Sequence, residues 1–213
     1  PKPQTPNPKP HINLAPCSME VQKRKKTIQI DLKSFTSHNI QVLKNLVNVC
    51  FPLTYDDKFY VKCYTSYTDL SRFARLKDLI IGAIATRIEK SEGSEDLFLH
   101  IMILLVYEKY RKYGIASQLM SFIEKAINDL PVSVRYIELH VQKSNVAAVA
   151  FYKKAGFSVV EEIKDYYDIE QGDAILMKKM LLFDPQVIKE SADTPSKTSS
   201  ICDKGDEVIA KSG

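Results

Sequence analysis

The chain has 213 residues and a mass of 24.2 kDa, of which 45% are apolar and 26% charged. That length suits one globular domain with tails, and the apolar content excludes wholesale disorder. The longest purely apolar stretch, Ile101 to Tyr107, is too short to span a bilayer, and no N-terminal signal pattern is present. A cytosolic or nuclear protein is the expectation. Cys17, Cys50, Cys63 and Cys202 form no close pair, so neither a disulfide framework nor a metal site is expected.

The net charge of +4 is unevenly spread. Residues 1–26 hold six of the ten prolines and six basic residues against Glu20, ending in the run Lys23-Arg24-Lys25-Lys26. They read as a disordered basic leader, with a run suited to a nuclear address, an RNA surface or a solvated flank. Residues 184–213 carry four lysines against six acids among Ser, Thr and Gly, and read as a second solvated tail. The domain is therefore placed at residues 27–183. Its charge is near neutral, which argues against a nucleic-acid-binding domain.

Within it, Thr27–Leu32 alternates apolar and polar residues as a half-buried strand does. Thr36 or Ser37 is set to cap a helix whose apolar face is Ile40, Leu43, Leu46, Val47 and Cys50, stopped by Pro52. A short helix from Lys58 to about Tyr67 follows, with Phe59, Tyr60, Tyr64 and Tyr67 read as packing. A hairpin is expected from Arg72–Lys77 and Leu79–Arg87. Leu97–Val106, apolar on both alternating faces apart from His100, reads as a central strand. A long amphipathic helix spans about Arg111 to Leu130, ending at Pro131. Strand Val134–Val141, a helix capped by Ser144 or Asn145 with Gly156 at its end, and strands Phe157–Ile163 and Asp173–Leu182 complete the pattern. The order implies an α/β fold, a mixed sheet covered by helices on both sides.

The chemically informative junction is the central strand followed by Tyr110-Arg111-Lys112-Tyr113-Gly114-Ile115-Ala116. A strand feeding a helix N-terminus gathers unpaired N–H groups and a positive dipole end at one point, which suits a pyrophosphate. Gly114 lets a phosphate approach the backbone, Ala116 keeps the first turn small, and Arg111 and Lys112 add charge. Arg-x-x-Gly-x-Ala alone is weak, with roughly 0.2 chance matches expected in such a chain. Its force comes from its position and from Leu139-His140-Val141-Gln142 and Phe151-Tyr152-Lys153-Lys154-Ala155-Gly156-Phe157 further on.

This combination resembles the GCN5-related N-acetyltransferase superfamily, and within it the NatE/San-type N-alpha-acetyltransferases. Phe51-Pro52-Leu53-Thr54-Tyr55-Asp56-Asp57-Lys58-Phe59-Tyr60, Ile101-Met102 and Tyr166-Tyr167 carry the closer likeness, which spans about residues 27–182. The resemblance implies splayed central strands with acetyl-CoA as co-substrate in the gap. Backbone at Leu104, Leu105 and Val106 would meet the pantetheine arm. The segment Arg111, Lys112, Tyr113, Gly114, Ile115, Ala116 and Ser117 would cradle the pyrophosphate, and Asn145 and Tyr152 would contact the remaining cofactor. It implies an apolar tunnel of Phe51, Pro52, Leu53, Tyr55, Met102, Tyr166, Tyr167 and Ile169 for a protein N-terminus beginning with Met and a hydrophobic residue. His140 matches the family's catalytic histidine, acting through water. Tyr152 is cofactor wall, with general acid as a second role.

The chain departs from the family at His100, where a tyrosine serves as second base, and its loop after Tyr167 is one residue shorter. Histidine, with an ordinary pKa of about 6.5 against about 10 for tyrosine, can take that role. An α-amine of pKa near 7.8 is roughly 30% neutral at a pH of about 7.4, whereas a lysine amine is only about 0.1% neutral. Two histidines relayed by water with no nearby carboxylate suit the α-amine, although Glu138 shares a face with His140. Direct transfer is expected, because no cysteine lies in the cofactor motifs. Two rival readings remain open. One is a lysine or small-amine acetyltransferase; the other is a catalytically weak acetyl-CoA-binding subunit of a larger ribosome-associated N-acetyltransferase complex.

Overall fold

The computed structural model describes residues 26–51, 55–65, 70–167 and 172–181. The expectations for the two tails, and those resting on Pro52, Leu53, Tyr67 and Ile169, lie outside the described residues. The elements run β1 (Asp31–Ser34), α1 (Ile40–Cys50), α2 (Asp57–Thr65), β2 (Arg72–Leu76), β3 (Leu79–Lys90), β4 (Leu97–Val106), α3 (Ile115–Ala126), β5 (Val134–Gln142), α4 (Val146–Lys154), β6 (Ser158–Ile163) and β7 (Ala174–Met180). The strands form one seven-stranded sheet in the order β1-β2-β3-β4-β5-β7-β6. β4 and β5 are parallel, while the other neighbouring pairs among the described residues are antiparallel. A parallel pair needs a crossover, and α3 supplies it.

Two cores sit on opposite faces of the sheet. Leu43, Leu46, Val47, Phe59 and Cys63 of α1 and α2 pack on Phe73, Ala83, Ala85, Ile103 and Leu105. Ile115, Leu119, Ile123 and Tyr152 of α3 and α4 pack on Ile84, Leu99, Ile101, Val106, Ile137 and Leu139. β4 thus feeds both cores, which is why it has no polar face.

Several boundaries differ from the sequence reading, and three of the differences have a clear physical cause. β1 begins at Asp31 and not Thr27, because Ile28 leaves the sheet: its N–H donates to the Tyr113 carbonyl at 3.1 Å, and its carbonyl accepts from Gln118 Nε2 at 2.7 Å. Asn39 and not Thr36 or Ser37 occupies the N-cap of α1, and its side chain bonds the Thr36 N–H at 2.8 Å and the Ser34 carbonyl at 3.0 Å. α3 starts at Ile115 and not Arg111, because Lys112 (φ 69°) and Gly114 (φ 77°) take left-handed conformations that no helix accommodates. The helix itself closes at Ala126 with a 3-10 turn over Ile127–Asp129.

The pairing of β4 with β5 decides the site. It runs from Leu97 opposite Val134 to His100 opposite Glu138. Beyond that rung β4 continues to Val106 and β5 to Gln142, each paired on its outer side only, with β3 and with β7. Just past the last shared rung β4 carries a bulge: Thr86 faces Ile101 and Ala85 faces Ile103, so Met102 is the extra residue. A bulge bends its strand and increases local twist, which here turns β4 away from β5. It also resets the side-chain alternation, sending Leu99 and Ile101 to the α3 core but Ile103 and Leu105 to the α1 core.

Candidate active site

A cavity occupies the fork between the parted strands. Phe51, Tyr55, Met102 and Tyr167 line it on the α1–α2 side. Leu104, Asn145, Ala148 and Tyr152 line it on the α3–α4 side, with Ile101, His140, Val141 and Gln142 between. It therefore joins the two faces of the sheet. Sequence reasoning named Phe51, Tyr55, Met102, Tyr167, Leu104, Asn145, Tyr152 and His140; it missed Ile101, Val141, Gln142 and Ala148. The last four carry no chemical signature. The signals available were adjacency to Met102 on β4 and to His140 on β5, and the helical phase of α4 for Ala148.

The aromatic wall is packed in advance. Tyr55 stacks on Phe59 at 4.3 Å, and burial pushes its phenol up to about 12. Tyr167 is half-buried, its phenol raised by burial, and its N–H donates to the Gly172 carbonyl at 2.8 Å. Tyr166 does not line the cavity. It is 41% exposed and stacks on His140, with ring centroids 4.6 Å apart and planes at 10°. Tyr152 is buried, its phenol raised by desolvation alone.

His140 sits on β5 just past the last shared rung, at the throat of the fork. Its Nδ1 is buried and has no hydrogen-bond partner among the described residues. Burial, then the neighbouring His100 imidazole, pulls the ring down to about 4, with Glu138 opposing, so it is neutral at pH 7. His100 lies with its ring centroid 5.5 Å from that of His140 and outside the cavity lining. The expectation of no nearby carboxylate is overturned. His100 Nδ1 is 3.3 Å from Glu138 Oε1, because the two residues are register partners. Local sequence does not reveal a pairing between strands 38 residues apart.

The turn before α3 has the form expected of an anion cradle. Gly114 is the N-cap without a side-chain capping bond, and the first helical bond runs from Gln118 N–H to the Gly114 carbonyl at 3.0 Å. The amides of Ile115, Ala116 and Ser117 precede it and lack intrahelical acceptors. A Cβ on Gly114 would lie 3.1 Å from Thr27 Cγ2, so the residue is fixed by space as well as by φ. Arg111 and Lys112 are exposed, and Tyr113 is half-buried. Arg111 Nε donates to the Val106 carbonyl at 3.1 Å, tying the cradle to the end of β4. The Leu105 side chain, by contrast, points into the α1–α2 core. Asn145 caps α4, its Oδ1 accepting from the Ala148 N–H at 3.1 Å. No metal-ligand cluster occurs among the described residues.

A forked mixed sheet with an anion cradle at the mouth of the fork defines an acyl-CoA-dependent transferase fold. The chain belongs to the acetyltransferase (GNAT) family, whose profile matches residues 40–157. It is 37% identical over 154 residues to "N-alpha-acetyltransferase 50" of Danio rerio, covering 72% of this chain and 89% of that protein. It is 39% identical over 157 residues to "Probable N-acetyltransferase san" of Drosophila melanogaster, covering 71% and 81%. Among solved structures it is similar to Arabidopsis thaliana Naa50 in complex with the bisubstrate analogue CoA-Ac-MVNAL, at 34% identity and a TM-score of 0.65, over 72% of this chain and all of that one.

Proposed function

We propose that the protein transfers acetyl from acetyl-CoA to the α-amine of protein N-termini that begin with Met followed by a hydrophobic residue. The observation that carries this reading is the cavity joining both faces of the sheet between β4 and β5. A thioester can enter from the α3 side and a peptide from the α1 side, so that they meet beside His140.

Acetyl-CoA supplies an activated acetyl group. The open β4 edge near Leu104 suits its extended arm, and the Arg111–Ser117 turn suits its pyrophosphate. Asn145 and Tyr152 would flank the arm on the α4 side. Phe51, Tyr55, Met102 and Tyr167 offer an apolar wall for the first side chain, with Pro52, Leu53 and Ile169 assigned to the same wall by the resemblance. Tyr166 holds the His140 ring by stacking and does not itself form the tunnel.

The two histidines handle the proton. About 30% of an α-amine is neutral at a pH of about 7.4, so the nucleophile needs no strong base before it attacks. As its nitrogen bonds to the carbonyl it becomes acidic, and a neutral imidazole can then take its proton directly or through water. His140, held neutral at the throat, fits that task, and His100 stands next in line. The raised phenol of Tyr152 stays protonated, which suits it to donate a hydrogen bond to the leaving sulfur. Such a reaction on nascent chains implies a ribosome-associated acetyltransferase complex as partner and the cytoplasm as compartment, with the nucleus as a second.

The test is a CoA-release assay on Met-initiated peptides with free lysines, each with a free or a blocked α-amine. Turnover only with the free α-amine is expected. Equal turnover after blocking would transfer the assignment to lysine, and acetyl-CoA binding without turnover would make the chain a binding subunit.

A further inference from the structure

At the base of the fork, three adjacent strands place three ionisable residues in one row. His100 on β4 is the register partner of Glu138 on β5, which is the register partner of Lys178 on β7. Glu138 is 8% exposed, and each of its oxygens has its own neighbour: Oε1 lies 3.3 Å from His100 Nδ1, and Oε2 lies 3.0 Å from Lys178 Nζ. The ammonium is in turn held 4.4 Å over the Tyr136 ring, which stacks on Phe98 at 5.0 Å. The carboxylate is thus clamped from both sides on a packed aromatic floor.

We infer that Glu138, braced by Lys178, is a positioning residue: whenever the His100 ring carries a single proton, Glu138 keeps it on Nδ1 and leaves Nε2 as the proton acceptor. The inference rests on the acetyl transfer proposed above. A tyrosine has a single hydroxyl and needs no such instruction; a histidine has two nitrogens, and a neighbour must decide which carries the hydrogen. An ionised carboxylate can only accept, so its bond to a neutral imidazole requires Nδ1–H and a lone pair on Nε2. Burial pushes the Glu138 carboxyl up, but hydrogen bonds from His100 and Lys178 outweigh it, and the group stays ionised at neutral pH. His140 is treated differently: its Nδ1 has no partner among the described residues, so none of them fixes its tautomer through that atom.

Lys178 gives the inference a sharp test. In Glu138→Gln the ammonium can only donate, so it captures the amide oxygen and turns the amide NH2 toward His100 Nδ1. Nδ1 must then accept, and the proton moves to Nε2, where it blocks the acceptor. Adding Lys178→Met frees the amide to rotate its oxygen back to His100. The measurements are imidazole nitrogen chemical shifts in 15N-labelled full-length protein, with His100 assigned by its loss in His100→Phe, and steady-state kinetics on a Met-initiated peptide. Wild type should show His100 protonated on Nδ1. Glu138→Gln should show Nε2–H and a kcat lower by about 10²-fold or more, with KM within about twofold. The double variant should return to Nδ1–H and regain at least about tenfold in kcat.

Wild-type His100 protonated on Nε2 overturns the inference whatever the variants do. So does a Glu138→Gln protein with unchanged tautomer or kcat, or a double variant no faster than the single one. The expected wild-type tautomer in a protein that acetylates no α-amine would instead overturn the proposed function.

Discussion

Gly114→Ala isolates the anion cradle from the rest of the fold. Gly114 has φ 77°, and an alanine held there costs about 1–2 kcal/mol, added to a Cβ contact of 3.1 Å with Thr27 Cγ2. If the turn relaxes to escape that cost, the conformation that aims the Ile115, Ala116 and Ser117 amides at one point is depopulated by about 5–30-fold. The apparent affinity for acetyl-CoA falls by the same factor, because only the competent fraction binds. Gly93→Ala is the control: it has φ 70°, nothing within 4 Å of its Cβ, and a place in the β3–β4 turn. Both variants should lose similar stability in denaturant titrations, but only Gly114→Ala should weaken acetyl-CoA binding in calorimetry. Wild-type affinity in Gly114→Ala, or an equal loss in Gly93→Ala, would refute the cradle.

Further outcomes follow from the throat of the fork. His140→Ala should lower turnover by about 10²-fold or more while acetyl-CoA still binds; unchanged turnover would remove His140 from proton transfer. Unfolding free energy should fall as pH drops from about 6.5 to about 4, because the unfolded chain takes up a proton that folded His140 refuses. That slope should be reduced in His140→Gln, as seen by urea titration at stepped pH. Glu138, held below its usual range, adds a loss at lower pH as it protonates. His100→Tyr should retain or raise activity, and a collapsed fold in circular dichroism would mark His100 as a packing residue instead.

Much of this architecture is written locally. β4 matches its expected bounds, Leu97–Val106, because it is buried on both faces and interrupted only by His100. Asn145 caps α4 as its position demands, and Gly156 takes φ 92° just after that helix. What escaped detection is nonlocal or conformationally improbable. Ile28 looks like strand but is claimed by Tyr113 and Gln118, some 90 residues away. Lys112 adopts a positive φ that its side chain does not advertise, which delays the helix. The bulge at Met102 depends on the partner strand, and the Glu138–His100 contact depends on register between strands separated by a whole crossover. Most of the side chains that meet in the fork were legible, but the contact between Glu138 and His100 was not.

Ile28 gives both its backbone N–H and its carbonyl to the region around the cradle, one to Tyr113 and one to Gln118. The chain therefore enters its domain by stitching itself to the turn ahead of α3, before the first strand begins. Shortening the protein past Ile28 would unpick both fasteners and leave that turn held only from its own side of the sheet.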